Sequence, residues 1–310
     1  MRVRFWGVRG SLPAPMRPAE LAASLARRGD GEGNRGDPMF IGGNTACVSV
    51  EIGETFMILD AGSGLRSLGQ EMMRGPWGVG RGRASLFLSH THWDHIQGFP
   101  FFAPAFGKGN VLHVYGGHPD LRQRLAQQQR PEFFPVPLEA MAGTLRFHRL
   151  LPGQAAEIGR ARVRLLALPH PGISYAYRIE TAGTALVYAT DGEYTHRFED
   201  DDAEAPHLYG LDVEDYVTFF RGADVLVFDA MFALHDSIAK ADWGHSTALV
   251  GVDLAVRAGV RNLVLFHHDH LASDDDIWGV GTEARRAVAV DPRKPSLQVQ
   301  VAYEGLDMMI

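Results

Sequence analysis

Hydrophobic and polar residues alternate along MRVRFWGV at residues 1–8, the period of a strand with one buried face. TACVSVEI and TFMILDAG repeat the pattern on either side of GET, a hairpin signal. RASLFLSH and VLHVYG read as further strands, as do ARVRLLALPH, SYAYRIET, TALVYATD, ADVLVFDA, NLVLFHHDH and SLQVQVAYEG in the second half. Between these runs the apolar spacing lengthens to three and four residues. GLRSLGQEMM, HPDLRQRLAQQQ, STALVGVDLAVRAGV and SDDDIWGVGTEARRAVAV are therefore read as helices, the last opened by a capping serine. A short helix is expected at residues 19–28, inside a Pro/Arg/Gly-rich segment at 11–43. RGDGEGNRGDP reads as a flexible loop in which Arg35, Gly36 and Asp37 form a solvated turn, and EDDDAEAPHLYGLDVED as an acidic solvated loop. Both halves layer strands with helices, and no low-complexity linker divides them. This predicts one α/β domain spanning residues 1–310, a four-layer sandwich with two sheets inside and helices outside.

Composition narrows the picture a little. The chain is 45% hydrophobic and 22% charged over 310 residues, ordinary for a globular protein. A formal charge of −7 argues against a broad non-specific nucleic-acid surface, while leaving room for a small anion whose charge a metal offsets. Cys47 is the single cysteine, so no internal disulfide can form. No apolar run is long enough to span a membrane, and the first residues lack a signal-peptide core. No membrane association and a cytoplasmic location are the expectations.

The polar ends of the apolar strands change the picture most. LFLSHTHWDHIQGFPFF places His90, His92, Asp94 and His95 within six residues, directly behind a buried run. Other strands end at His170, Asp191, Asp229 and His267. A lone histidine behind a strand is ordinarily packed or solvated. Four such side chains together need coordination or paired charge, because buried imidazoles and carboxylates are costly without it. Residues two apart in extended backbone project to one side, so His90 and His92 can share an ion. Asp94 and His95 can face a second ion where the chain turns toward a helix or loop. Four donors in so short a stretch crowd one tetrahedral ion, so the spacing predicts two ions and further donors from later strand ends. Zinc is the default for histidine-rich sites, and manganese or iron would accept the same donors. Asp60, at the end of LDAG's strand, is read as a hydrogen-bond partner of a ligand histidine. Trp93 and the FPFF stretch at 99–102 are read as core packing in preference to an apolar wall for a base or sugar.

HTHWDH resembles the HxHxDH signature of the metallo-β-lactamase superfamily, and LPHPG with His170, YATDGE with Asp191 and LVLFHH with His267 follow in that superfamily's order. The resemblance implies an αββα sandwich with metals at one edge. It implies that His90, His92 and His170 hold the first metal, that Asp94, His95 and His267 hold the second, and that Asp191 bridges them. Asp94 is counted among the catalytic groups as well. His267 is taken over His268 because it directly follows the apolar strand, although the assignment could slip by one. His92 in place of glutamate is unlike the di-iron oxygen-reducing branch. Asp191 stands where many lactam-hydrolysing members carry cysteine, and a carboxylate there is typical of the phosphodiesterase and thioesterase branches.

His245, Ser246 and Thr247 resemble the HST segment of ribonuclease Z and related phosphodiesterases, and LVFDAMF resembles its HEAT segment, with Asp229 at the glutamate position. This implies that His245 assists at the scissile phosphate and that Asp229 fixes its tautomer. GHST also reads as a plain helix cap, which the catalytic role does not contradict. Only GISYAYRIETAGTALVYAT separates His170 from Asp191, enough for two strands and a turn. The tRNA-binding arm of long ribonuclease Z enzymes has no counterpart, so transfer-RNA processing is not expected. The expected function is hydrolysis of a small phosphodiester, a cyclic nucleotide or nucleotide-derived diester, by a hydroxide shared between two metals. FWGVRGSLPAP, GGNTACVSV and LDAGSGLRSLG likewise resemble uncharacterised bacterial hydrolases of the superfamily. The rival readings are a thioester or lactone hydrolase of the glyoxalase II type and a metal-binding or sensing protein without turnover. Related hydrolases are often dimers, and a homodimer is the expectation here.

Overall fold

The computed structural model describes residues 1–29, 40–194, 211–233, 240, 242–293 and 295–310. One sheet contains β1 (Arg2–Gly7), β2 (Cys47–Ile52), β3 (Thr55–Leu59), β4 (Arg83–Phe87), β5 (Val111–Gly116), β6 (Thr144–Arg149) and β14 (Asp307–Met309), ordered β14-β1-β2-β3-β4-β5-β6. The other contains β7 (Ala155–Ile158), β8 (Ala161–Leu168), β9 (Ser174–Thr181), β10 (Thr184–Ala189), β11 (Val225–Asp229), β12 (Asn262–Phe266) and β13 (Gln298–Val301), ordered β13-β12-β11-β10-β9-β8-β7.

Strand direction decides where the site can be. The runs β3 to β6 and β10 to β13 are parallel. β1 and β3 both run antiparallel to β2, and β8 and β10 both run antiparallel to β9. It follows that β1, β3, β4 and β5 end at one edge of the first sheet, and β8, β10, β11 and β12 at one edge of the second. In open α/β sheets that carboxyl edge is where loops converge on a ligand.

Between the sheets lies the larger core. Phe5 packs on Phe266 with ring centroids 5.9 Å apart, and Phe87 meets Tyr177 edge-on at 5.3 Å. Two buried tyrosines cross from the second sheet to the first. Tyr177 Oη donates to Leu88 O at 2.6 Å, and Tyr188 Oη to Asp60 Oδ2 at 2.8 Å. Outside the first sheet, α2 (Gly64–Met72) buries Leu65, Leu68 and Met72, the three-and-four spacing of one helical face. Outside the second sheet pack α6 (Ala248–Ala258), capped by Thr247, and α7 (Asp274–Val290), where Ser273 and Asp276 form a capping box. The four-layer expectation is met. Among the described residues the other α-helices are α1 (Pro18–Gly29), α3 (Trp93–Ile96), α4 (Leu121–Gln128) and α5 (Val213–Phe220). Among the described residues no helix is long and apolar enough to cross a membrane.

The pattern of the sequence did not reveal β6, β7 and β14. All three are edge strands, and their faces are only partly covered, so they lack a clean apolar alternation. It also did not reveal α5. Asp212 and Asp215, read as part of a solvated loop, form the capping box that starts this helix. The rest of that acidic stretch through residue 210, and the triplet Arg35, Gly36 and Asp37, lie outside the described residues.

Arg9, just beyond β1, is buried and ties three chain segments together. Its guanidinium donates to Gly42 O at 2.9 Å, Asp269 O at 3.1 Å, Ala272 O at 2.8 Å and Asp274 Oδ1 at 2.7 Å. Removing one partner of such a buried pair leaves the other charge uncompensated, so Arg9→Met should destabilise the fold by about 3–5 kcal/mol. Urea unfolding should show this as a lower midpoint with an unchanged slope; an unmoved midpoint would mean that the clamp adds no stability.

Candidate metal centre

Three strand ends share an unusual backbone. Asp60 after β3 (φ 60°), Asp191 beyond β10 (φ 51°) and His267 after β12 (φ 60°) all turn in the left-handed region. The conformation costs a non-glycine residue on the order of 1–3 kcal/mol and persists only where the surroundings over-determine it. Aspartate and histidine are among the residues that adopt it most readily. The turn ends the strand's alternation, so these side chains stand at the sheet edge.

Both sheets contribute to one cluster there. Ring nitrogens of His90, His92 and His170 all lie within 4.8 Å of one another, with His92 Nδ1 and His170 Nε2 3.0 Å apart. A second group joins Asp94, His95, Asp191 and His267 within the same limit. In it, His95 Nε2 and His267 Nε2 are 3.2 Å apart, and Asp94 Oδ2 is 3.1 Å from His267 Nε2 and 3.3 Å from His95 Nε2. Asp191 faces both groups with different oxygens. Its Oδ1 is 3.2 Å from His95 Nε2 and 3.4 Å from His267 Nε2, while its Oδ2 is 3.7 Å from His90 Nε2 and 3.9 Å from His170 Nε2. The seven donors named from sequence therefore come together as two sets with a carboxylate between them. His268 does not join them. It is buried, bonded to Ala302 O at 2.9 Å, and pushed down to about 3 by burial.

A shell of hydrogen bonds aims these side chains. Asp60 is fully buried and receives Ser89 N at 2.7 Å, Ser89 Oγ at 2.8 Å and Tyr188 Oη at 2.8 Å, and it pairs with His95 Nδ1 at 2.8 Å. Asp60, read from sequence as a hydrogen-bond partner of a ligand histidine, thus pairs with one of the expected donors, His95. His170 Nδ1 donates to Gly244 O at 2.8 Å, Ser11 N to Asp94 Oδ2 at 2.8 Å, and Thr190 Oγ1 to Asp191 Oδ1 at 2.6 Å. Gly10 sits against the ring of His267, where an added Cβ would come within 2.4 Å of its Cε1. Buried Glu193 receives Gly244 N at 3.0 Å and Asp242 N at 3.3 Å, which fixes the loop before His245. Ser89, Tyr188, Glu193 and the Gly10–Ser11 turn went unrecognised in the sequence. Their partners are remote along the chain, and the residues themselves carry no donor pattern.

The arrangement fits divalent cations. Two donors each about 2.0–2.1 Å from one zinc at a tetrahedral angle lie roughly 3.3–3.4 Å apart, close to the separations seen between facing nitrogens. His90 Nε2 is buried without a hydrogen-bond partner. Burial drives His90 well below the ordinary imidazole range and His170 to about 4, which leaves both with a free lone pair. Burial alone would raise the carboxyls of Asp94 and Asp191. The facing histidines, His95 foremost for Asp94 and His267 for Asp191, hold both well below the usual range. His95 is the converse: burial pulls it down, but Asp191, Asp94 and Asp60 hold it well above its ordinary value.

Beside the cluster, His245 Nδ1 is 2.9 Å from Asp229 Oδ2. Asp229 is fully buried and also receives Met231 N at 3.0 Å and Gly192 N at 3.3 Å. Burial would lower His245, but Asp229 outweighs it and raises the imidazole to about 9. His245 also stacks on His267 with centroids 5.2 Å apart. The core-packing expectation for Trp93 and residues 99–102 divides. Phe99 and Phe102 are fully buried, whereas Trp93 is 77% and Phe101 57% exposed. His92 precedes α3, whose turn points Asp94, His95 and Ile96 inward and leaves Trp93 facing out.

Known proteins resemble this chain in sequence and in fold. The family model described as a β-lactamase superfamily domain matches residues 55–268. A ribonuclease Z of Shouchella clausii is 28% identical over 221 residues, covering 59% of this chain and 68% of that protein. A ribonuclease Z of Natronomonas pharaonis is 25% identical and is covered over 86% of both chains. The metallo-β-lactamase fold protein YhfI from Bacillus subtilis superposes with a TM-score of 0.62 at 20% identity, over 99% of this chain and 98% of its own.

Orienting partners of metal ligands typically matter 10–100-fold in affinity. Asp60→Asn should therefore weaken zinc binding by about that factor in a chelator competition, with the circular dichroism of the fold retained. Unchanged affinity would show that Asp60 serves packing alone.

Proposed function

The chain belongs to the β-lactamase superfamily of hydrolases, and on that footing we propose that it is a dinuclear metal-dependent phosphodiesterase acting on a cyclic nucleotide or another small nucleotide-derived diester. The observation that carries this reading is the His245–Asp229 pair, at 2.9 Å, beside the donor cluster. With Nδ1 engaged by Asp229, Nε2 is the nitrogen available to a substrate.

His90, His92 and His170 would hold one ion and Asp94, His95 and His267 the other, with Asp191 offering one oxygen to each. When bound, the ions, zinc by preference, would supply Lewis-acid polarisation of the phosphoryl group and a water acidified toward neutrality. The remaining work falls to the chain. Asp94 and Asp191 set the charge of the site. His245 gives its Nε2 proton to the departing oxygen, which would otherwise leave as a costly alkoxide. Asp229 holds the Nδ1–H, keeps the tautomer that presents the proton at Nε2 and stabilises the imidazolium. A thioester hydrolase would have little need of such a pair, because a thiolate leaves without protonation.

Similarity to proteins named ribonuclease Z supports phosphodiester cleavage. The stretch between His170 and Asp191 is taken up by β9, β10 and their short connections, which supports a small substrate over transfer RNA.

His245→Ala should leave metal content unchanged and lower kcat on a nucleotide diester by roughly 10²–10⁴, with a smaller loss on bis(p-nitrophenyl) phosphate, whose leaving group needs little protonation. Loss of an ion in this variant would make His245 a ligand. A thioester cleaved in preference to any phosphodiester would overturn the proposal. Asp191→Ala should lower the occupancy of both ions by elemental analysis; depletion of one alone would remove Asp191 from its place between them.

A further inference from the structure

We propose that Trp93 and Trp243 form a two-sided stacking site for a nucleobase, one indole supplied by each half of the sandwich. The inference rests on the phosphodiesterase reading and deepens it by naming the part of the substrate that the protein recognises. Both side chains are large, apolar and turned to solvent, Trp93 at 77% and Trp243 at 61% exposure. An indole left in water forgoes burial worth more than almost any other side chain can gain.

Their backbones are placed beside the cluster. Trp93 directly follows His92, and Trp243 directly precedes Gly244, whose carbonyl accepts from His170 Nδ1 at 2.8 Å. His92 and His170 face each other at 3.0 Å across the seam between the sheets. The two tryptophans are therefore attached on either side of the same histidine pair, Trp93 next to His92 itself and Trp243 next to the residue that holds His170.

Described backbone on both sides of the seam is tied down next to each indole. Asp242 (φ 67°) and Gly244 (φ 82°) both turn in the left-handed region, and the Glu193 carboxylate takes the amides of both. Gly244 is pressed so close to His170 that an added Cβ would lie 2.3 Å from Nδ1. Trp93 opens α3, with Gln97 N bonded to its carbonyl at 2.7 Å and His95 N to His92 O at 3.0 Å. Fixed backbone with an exposed aromatic face is what a stacking platform requires, since little motion remains to be frozen when a base binds. A phosphate at the donor cluster would carry its nucleoside within reach of these faces, and stacking accepts any base because every base has a π-face.

The test uses the full, metal-loaded protein with adenosine 5′-monophosphate and ribose 5-phosphate as probes, read by titration calorimetry. The nucleotide should bind roughly 5- to 150-fold more tightly, the range that one stacked base contributes. Trp93→Ala and Trp243→Ala should each shrink that advantage, and Trp93→Phe and Trp243→Phe should keep most of it. Equal binding of the two probes by the wild type, or an undiminished advantage in both alanine variants, overturns the inference. So does a dimer, seen by sedimentation, that falls apart in the alanine variants while base preference persists, because a second copy of the chain would then be what covers the indoles. Hydrolysis of bis(p-nitrophenyl) phosphate keeps the two readings distinguishable. Turnover without base preference defeats the stacking site alone, and base preference without phosphodiester turnover defeats the catalytic reading alone.

Discussion

Charge removed from water has to be answered at short range, and this fold is arranged around one place where that happens. Asp60, Asp94, Asp191 and Asp229 are buried together at the carboxyl edge of two sheets, and imidazoles stand against each of them. Moving either sheet relative to the other would open gaps in this lattice of facing carboxylates and imidazoles. The interior resists such movement through Tyr177 and Tyr188, which cross from the second sheet to bond with Leu88 and Asp60 on the first. Arg9 does the same from outside, joining the end of β1 to the segment before α7. Core packing and site geometry are the same constraint seen from two sides: the aromatic core sets the distance between the sheets, and the edge cluster depends on that distance.

The histidines and aspartates of this cluster were legible in the sequence because their signal is local. Each follows an apolar run whose period identifies a strand, and the four at residues 90–95 lie too close together for unrelated roles. What was hidden is what depends on distant partners. Tyr188 bonds to Asp60 from 128 positions away, and nothing in VYAT distinguishes its hydroxyl from that of an ordinary core tyrosine. Glu193 reads as one more acidic residue until the loop it holds is seen. Trp93 shows the opposite failure: apolar character suggested core, and the turn of a four-residue helix put it outside. The edge strands β6, β7 and β14 were invisible for a third reason, since half-covered strands need no clean alternation.

The two halves of the chain also divide the chemistry unevenly. The first sheet brings a dense local stretch, with His90, His92, Asp94 and His95 all around α3. The second brings single residues from separate strands, His170, Asp191, Asp229 and His267, each held by its own neighbour. A dense stretch keeps its internal spacing through local backbone alone. Among the scattered residues, the parallel register of β10, β11 and β12 sets Asp191, Asp229 and His267 side by side.

The left-handed turns at Asp60, Asp191 and His267 carry a consequence for how such a centre can diversify. Exchanging a residue at one of these positions alters the energy of the turn together with the chemistry of the donor. Asparagine and aspartate enter this conformation readily, whereas β-branched residues resist it strongly. A softer donor at position 191 would thus have to be accommodated by the bend as well as by the ions. An evolving lineage, or an engineer, seeking a different metal preference would meet a conformational toll before a chemical one, and the route around it would pass through the neighbouring loop residues rather than the donor itself.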